Sequence, residues 1–150
     1  MLWIGMIILI VGFEYFMKKR MEQTLEFGRE VPKWNGKIIL KKYHNKGAAL
    51  NLFEQHQKGL IIGTALLIGA LFCYFQSLIK SHGQYQKKLG LSLLIGGALS
   101  NIWDRISRKY VVDYFSFSWK KIRHIVFNIA DFCIFLGSIL FALSSLKEQK

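Results

Sequence analysis

The chain has 150 residues, of which 52% are hydrophobic, yet it carries 21 Lys and Arg against 9 Asp and Glu, for a formal net charge of +12. This apolar fraction is unusual for a soluble basic domain, and no nucleic-acid-binding motif accompanies the charge, so we expect no nucleic-acid partner. One proline and 15% aromatic residues exclude disordered and low-complexity classes, and the length suits a single domain over residues 1–150.

Four apolar segments predict four transmembrane helices, at about residues 2–18, 59–79, 89–103 and 125–146. Crossing the hydrocarbon core takes about 20 apolar residues in a helix, and the second and fourth segments reach that length alone. The first can extend through Lys18 by snorkelling, and the third can end on Trp103, whose ring suits a membrane interface. Because the first segment lacks a basic start and a small-residue cleavage site, we expect it to stay attached.

The connection between the first two segments, residues 19–58, is the largest predicted part outside the membrane. Residues 37–43 and 49–53 have strand-like composition, and we predict a turn at Gly47 between them. We therefore expect a small sheet on the membrane surface.

Small residues recur in the second and third apolar segments. Gly59 and Gly63 form a GxxxG pair, and Gly96 and Gly97 lie in the third segment. Because small residues let helices approach closely in lipid, we predict that Gly59 and Gly63 mediate helix packing. For Gly96 and Gly97, helix packing and a role beside a polar site stay equally open, since polar residues follow at once.

The chain has only three aspartates, Asp104, Asp113 and Asp131, all in its C-terminal half. Asp131 lies near the start of an apolar helix, where an ionised group costs at least about 2.5 kcal/mol and so needs a partner or a task. Asn128 shares its helix face, and Asp113 lies in a β-branched and aromatic stretch. Paired carboxylates that share a proton are the working groups of aspartic proteases. Spacing alone leaves open that each aspartate simply pairs with Lys or Arg.

Two further groups of residues favour structural roles. Asn101, Asp104 and Arg105 follow a helical spacing that puts them on one face, where an ion pair at a helix end would hold a neighbouring loop. Cys73 and Cys133 lie in separate apolar segments, and neither they nor the four His follow metal-ligand spacing. We predict no metal site.

Several blocks of the sequence together resemble lipoprotein signal peptidase, also called signal peptidase II. The blocks are Gly-Gly-Ala-Leu-Ser-Asn-Ile-Trp-Asp-Arg at 96–105, Val-Val-Asp-Tyr-Phe at 111–115, Phe-Asn-Ile-Ala-Asp at 127–131 and Asn-Lys-Gly-Ala-Ala-Leu at 45–50. Glu14 and Lys18 echo the family's Asp-x-x-x-Lys. The chain departs from the family pattern at Glu14, Leu50 and Ser100, where the family usually has Asp, an aromatic residue and Gly.

The resemblance implies an aspartyl endopeptidase of the bacterial cytoplasmic membrane, an all-α membrane protein with four transmembrane helices and a small extracytoplasmic β-cradle. Its substrates would be diacylglyceryl-modified prolipoproteins, cut before the lipidated lipobox cysteine. Its partners would include membrane phospholipids and globomycin-type inhibitors, and it would need no cofactor. By motif, Asp113 and Asp131 carry over as the catalytic pair. The implied site-shaping residues are Asn45, Gly47, Asn101, Asp104, Arg105 and Asn128, and Glu14 and Lys18 would form a structural pair.

Two other functional classes stay open from the sequence. A small ion- or proton-coupled transporter could place acids and Arg inside helices, and a catalytically silent membrane-binding paralogue would keep the same segments. The charge pattern adds a conflict, because 16 of the 21 Lys and Arg, counted from Lys18 onward, lie in the two connections that the family would place outside. The positive-inside rule taken alone would invert the protein. We follow the family, because a peptidase acting on translocated lipoproteins must face outward.

Overall fold

The computed structural model describes residues 1–48 and 52–147, which form four long helices and one small sheet. The helices are α1 (Leu2–Thr24), α2 (Gln57–Ile79, preceded by a single 3-10 turn at Glu54–His56), α3 (Tyr85–Arg108) and α4 (Ile129–Lys147). The strands are β1 (Val31–Lys33), β2 (Ile38–Asn45) and β3 (Val111–Phe117). Each predicted apolar segment contains a helix, but α1 and α3 continue beyond the apolar residues, and α4 begins later than predicted.

Two stretches of the described chain are long and apolar enough to cross a membrane by length and composition, Glu54–Ile79 and Ile129–Lys147. Only 11% and 17% of their most apolar windows are buried within the protein, so their apolar side chains face outward. Helices α1 and α3 have the length but carry ionisable residues that face inward, among them Glu14, Lys18 and Asp104. Their polar content reflects an internal polar site.

Helix α3 is the central helix, since it packs against α1, α2 and α4. Glycine makes two of these contacts possible. A Cβ atom on Gly97 would lie 2.5 Å from the carbonyl oxygen of Ala130 in α4, and one on Gly96 would lie 3.1 Å from Ile10 in α1. The two adjacent glycines therefore bring different helices against α3, and the packing role for them is present in the structure.

The predicted packing role of Gly59 and Gly63 is wrong for the described chain. A Cβ atom on either residue would meet nothing within 4 Å. Both glycines instead line a cavity on the side of α2, together with Phe53 and Leu67. The GxxxG spacing marks a small-residue surface, but no described helix packs on it.

The sheet is antiparallel, with the strand order β1-β2-β3. The strand predicted at 37–43 is present as β2. The strand predicted at 49–53 lies partly outside the described residues, and residues 52–53 form a turn. The third strand comes instead from the connection between α3 and α4, where Ile38 pairs with Phe117 and Asn45 pairs with Val111. The small sheet is confirmed, but it is built from both connections and not from residues 19–58 alone.

The apolar core lies at the end of the bundle away from the sheet. It consists of the start of α1, the end of α2 and the start of α3, through Ile7, Phe75, Leu78, Leu91 and Ile95. Burial of these side chains holds that end together. Most of the buried polar residues lie at the end beside the sheet, although Lys87, Lys88, Ser92 and Ser144 are buried at the other end. The groups that can form a site are therefore concentrated beside the sheet.

Candidate active site

The start of α4 fixes Asp131 through a reciprocal pair of hydrogen bonds. Asn128 directly precedes the helix, and its Oδ1 accepts a hydrogen bond from the backbone N–H of Asp131 at 3.0 Å. In return, Asp131 Oδ2 accepts the backbone N–H of Asn128 at 3.0 Å. This is a capping box in which Asn and Asp fill the roles usually held by Ser or Thr and Glu. The carboxylate is thereby held in the first turn of α4, at the positive end of the helix dipole.

Asp113 is held on β3 by two side-chain amides. Asn128 Nδ2 donates to Asp113 Oδ1 at 2.6 Å, and Asn45 Nδ2 donates to Asp113 Oδ2 at 3.1 Å. The Oδ1 atom of Asn45 accepts the backbone N–H of Gly47 at 3.1 Å, which turns the amide nitrogen towards Asp113. Asn128 therefore contacts both aspartates, and the side chain of Asp113 is almost completely buried.

Asp131 is held from its other side by α3. Asn101 Nδ2 donates to Asp131 Oδ1 at 2.9 Å, and Asn101 Oδ1 accepts a hydrogen bond from Lys18 Nζ at 2.8 Å. Because Lys18 can only donate, it fixes which end of the Asn101 amide faces Asp131. A residue of α1 thus orients a carboxylate of α4 through α3.

Lys18 and its neighbours form a buried ionic cluster. Lys18 Nζ lies 3.1 Å from Asp104 Oδ2, 3.4 Å from Glu14 Oε2 and 3.1 Å from Ser100 Oγ. Lys18 is 1% exposed and Glu14 is fully buried, so the predicted pair lies inside the bundle. Ser100, which differs from the family pattern, contributes a hydroxyl acceptor to the lysine. Asp104 also accepts the backbone N–H of Val112 at 3.2 Å and so holds the start of β3.

Arg105 connects the cavity to the turn that contains Gly47. Its guanidinium donates to the carbonyl oxygen of Gly47 at 2.7 Å and to that of Asn101 at 3.3 Å. Arg105 Nε is buried and has no hydrogen-bond partner among the described residues. Asp104 forms its ion pairs with Lys18 and Arg108 instead. Asp104 and Arg105 therefore each link α3 to a different neighbouring segment.

Both aspartates line one cavity of about 590 Å³. Its polar lining comes mainly from Asn45, Asn101, Arg105 and the two aspartates, whereas most of its wall is apolar, including Leu60, Val126, Phe127, Ile134 and Phe135. A mostly apolar cavity with a few convergent polar groups is typical of a binding site. Gly47, Asp104 and Asn128 support the lining residues through the contacts above.

The surroundings of Asp113 favour its protonated form. Burial of the carboxyl, and next the nearby charge of Asp131, raise the pKa of Asp113 from 3.8 to about 7. The hydrogen bonds from Asn45 and Asn128 act in the opposite direction and do not cancel the effect of burial. Asp113 can therefore hold a proton near neutral pH beside the second carboxyl group.

Tyr114 is a site residue that the sequence reasoning missed. Its hydroxyl donates to Glu14 Oε1 at 2.7 Å, and the backbone N–H of Ile129 donates to both oxygens, at 3.1 Å to Glu14 and 3.2 Å to Tyr114. Because side chains alternate along a strand, Tyr114 faces α1 while Asp113 faces the cavity. That alternation was a usable signal, since Tyr114 directly follows Asp113.

Within residues 1–48 and 52–147, no group of three or more His, Cys, Asp or Glu side chains has an arrangement that could hold a metal ion. The main polar groups at this cavity are the two aspartates, the three asparagines and Arg105.

Comparison with known proteins agrees with the resemblance. The family model described as Signal peptidase (SPase) II matches residues 6–147. The chain belongs to the signal peptidase II family. A lipoprotein signal peptidase of Pasteurella multocida (strain Pm70) is 34% identical, over 99% of this chain and 89% of its own length. One from Clostridioides difficile (strain 630) is 35% identical, over 95% of this chain and 93% of its own length.

The fold comparison supports the same family. A bacterial membrane enzyme solved by the in meso method at 2.3 Å resolution has a TM-score of 0.86, with 27% identity, covering 99% of this chain and 89% of that one. A second, at 1.9 Å resolution, has a TM-score of 0.83 and 27% identity, covering 97% and 92%. The fold of this signal peptidase II family member is thus that of a membrane enzyme.

Proposed function

We propose that this protein is an aspartyl endopeptidase that removes signal peptides from prolipoproteins. The observation that carries the proposal is the pair of carboxyl groups at one cavity, with Asn128 donating to Asp113 and capping Asp131. The names of the relatives supply the substrate class, and the resemblance supplies the finer detail of cleavage before a diacylglyceryl-modified lipobox cysteine.

In the proposed reaction, Asp131 acts as the base and Asp113 as the acid. The helix N-terminus and the backbone N–H of Asn128 stabilise an ionised Asp131, whereas burial keeps the proton on Asp113. Asp131 takes a proton from water as the water oxygen bonds to the scissile carbonyl carbon, and Asp113 gives its proton to the carbonyl oxygen. When the resulting tetrahedral intermediate collapses, a proton passes from Asp131 to the leaving nitrogen, and Asp113 recovers its own from the hydroxyl group.

The cavity also supports binding of a lipid-modified peptide. Its apolar wall includes Leu60, Ile134 and Phe135, which lie on the two most apolar helices, so acyl chains can reach it from the bilayer without crossing water. Arg105 Nε and the asparagine side chains provide donors for backbone carbonyl groups of the substrate. Globomycin-type inhibitors would occupy the same cavity.

We further propose that all four helices cross the bacterial cytoplasmic membrane as one domain over residues 1–150. The inward-facing charges of α1 and α3 are paired with one another, which removes much of the cost of placing them in lipid. The sheet and the dyad would face the extracytoplasmic side, and membrane phospholipids would surround the helices.

Cleavage of a diacylglyceryl-modified prolipoprotein, with and without globomycin, tests this function. We expect Asp113→Asn and Asp131→Asn each to lower kcat at least about a hundredfold, with a free energy of unfolding close to that of the wild type. Glu30→Gln is the matched control, because Glu30 is an extramembrane acid paired with Arg123 outside the cavity. If either aspartate variant cleaves at the wild-type rate, the assignment is wrong. A wild type that leaves the precursor intact would favour the silent paralogue.

A further inference from the structure

Two tryptophans at one edge of the sheet are exposed. Trp34 is 77% exposed in the turn between β1 and β2, and Trp119 is 68% exposed just after β3. Trp34 has φ +49 and Asn35 has φ +54, a left-handed conformation that costs free energy for a bulky side chain. An aromatic side chain that stays this exposed is available for contact with a partner outside the chain.

The strand register brings the two tryptophans to the same edge. Ile38 pairs with Phe117, and the backbone N–H of Ser118 donates to the carbonyl oxygen of Lys37 at 3.0 Å. The turn that begins at Trp34 ends at Lys37, whose N–H donates to the carbonyl oxygen of Trp34 at 3.1 Å. The β1–β2 turn and the segment after β3 therefore lie side by side. We call residues Lys33, Trp34, Lys37, Trp119, Lys120 and Lys121 the edge patch.

Aromatic contacts set the depth of the edge patch relative to the helices. Trp119 stacks on Phe117, with ring centroids 5.7 Å apart, and Phe117 lies 6.2 Å from Phe132. Phe132 belongs to the first turn of α4, and it also stacks on Phe115 at 5.5 Å. Strand β3 therefore crosses the start of α4 and does not project away from it. This places Trp119 at the level where α4 begins, which is the membrane interface in the proposed topology.

The charges of the edge patch are unbalanced. Lys33, Lys37, Lys120 and Lys121 are exposed, and none forms an ion pair within the described ranges 1–48 and 52–147. The nearby Lys41 and Arg123 differ, because both pair with Glu30. Four unpaired cations beside two exposed indole rings match the composition of a membrane interface, in which Trp lies at headgroup level and Lys attracts anionic lipids.

We propose that the edge patch binds anionic phospholipid headgroups and holds the sheet against the membrane. Trp34 and Trp119 enter the interface, and the four lysines select lipids with a net negative headgroup. This binding would account for part of the basic charge in the extramembrane connections, since that charge would face lipid and not bulk water. The inference needs the proposed membrane topology but not the cleavage reaction.

The test measures which lipids surround the two tryptophans. The full chain, with Trp3→Phe and Trp103→Phe so that only Trp34 and Trp119 emit, is reconstituted into vesicles of phosphatidylcholine and phosphatidylglycerol. In one preparation the phosphatidylglycerol is brominated on its acyl chains near the headgroup, and in the other the phosphatidylcholine is, at the same mole fraction. Tryptophan emission is recorded for both. We expect brominated phosphatidylglycerol to quench several-fold more strongly than brominated phosphatidylcholine, with the difference reduced at high salt.

Two charge variants separate the edge patch from general charge. Substituting its four lysines by Gln is expected to make the two brominated lipids quench equally. The matched control, Lys19→Gln, Arg20→Gln, Lys58→Gln and Lys109→Gln, removes the same number of exposed cations elsewhere and should keep the difference. Equal quenching in the parent chain would overturn the headgroup selectivity. An absence of quenching would show that the edge patch faces water or a protein partner. Loss of the difference between the two lipids in the control variant would show that the selectivity comes from the overall charge of the protein.

Discussion

Replacing the buried lysine of α1 is the most direct test of how the site is assembled. Lys18→Met keeps an unbranched side chain one atom shorter but removes the cation that faces Glu14 and Asp104 at 3.4 and 3.1 Å. It also removes the donor to Ser100 Oγ and Asn101 Oδ1. We expect the substitution to lower the free energy of unfolding by about 3–5 kcal/mol, because Glu14 is left without its cation and Asp104 keeps only Arg108.

The remaining partners set this magnitude. Glu14 keeps its hydrogen bonds from Tyr114 and the N–H of Ile129, and Asp104 keeps the N–H of Val112. The carboxylates are therefore still hydrogen-bonded, and the main loss is the pairing of charge. A further substitution of both acids, to give Glu14→Gln and Asp104→Asn in the Lys18→Met background, should recover more than half of the lost stability.

Equilibrium unfolding in mixed micelles of a mild detergent and sodium dodecyl sulfate, followed by circular dichroism, measures these differences. Lys19→Met is the control, since Lys19 is the next residue and is exposed, and its effect should stay within about 0.5 kcal/mol. A loss below about 1 kcal/mol for Lys18→Met would refute the ionic account. A triple variant as unstable as the single variant would show that packing, and not charge, is responsible. In the cleavage assay, kcat should fall more than KM rises, because Asn101 loses the donor that orients it towards Asp131.

Three further predictions test the packing, the titration and the hydrogen bonds of the site. Gly97→Ala should destabilise the bundle by about 1–3 kcal/mol because its Cβ would overlap the backbone of α4, whereas Gly63→Ala, with open space around it, should be neutral or slightly stabilising in the same unfolding assay. Because the pKa of Asp113 is raised to about 7, kcat should fall as the pH rises above about 7. The free energy of unfolding should also decline as the pH rises from 3.8 to about 7, since the unfolded chain releases this proton first. Asp113→Asn should remove that decline. Tyr114→Phe removes the hydroxyl that donates to Glu14 and should cost about 1–3 kcal/mol; an unchanged unfolding midpoint would contradict the contact.

The sequence predicted the helices well because an apolar segment of sufficient length has few alternatives in lipid. It also predicted β2 from its own composition. It missed β1 and the contribution of β3, because the pairing of Asn45 with Val111 depends on how two distant connections meet. The error at Gly59 and Gly63 has a similar cause. Their spacing allows close helix contact but does not supply a helix to contact.

The candidate site was predicted residue by residue from motif resemblance, and the dyad could not be deduced from spacing alone. Asp113 and Asp131 lie on different elements yet line one cavity, and Asn128 donates to one and caps the helix that carries the other. The role of Tyr114 was hidden for the same reason, since its partner Glu14 is 100 positions away in the chain.

The sequence by itself determined the apolar helices, the scarcity of acids and the family signature, because these depend on composition and local order. The tertiary structure alone decided that Lys18 is the centre of a buried ionic cluster, that α3 approaches two helices through adjacent glycines and that the sheet crosses the start of α4. It also decided the distribution of the +12 charge, by pairing some cations with acids and leaving four lysines exposed at one edge. Such outcomes depend on contacts between segments far apart in sequence, which local composition and order do not specify.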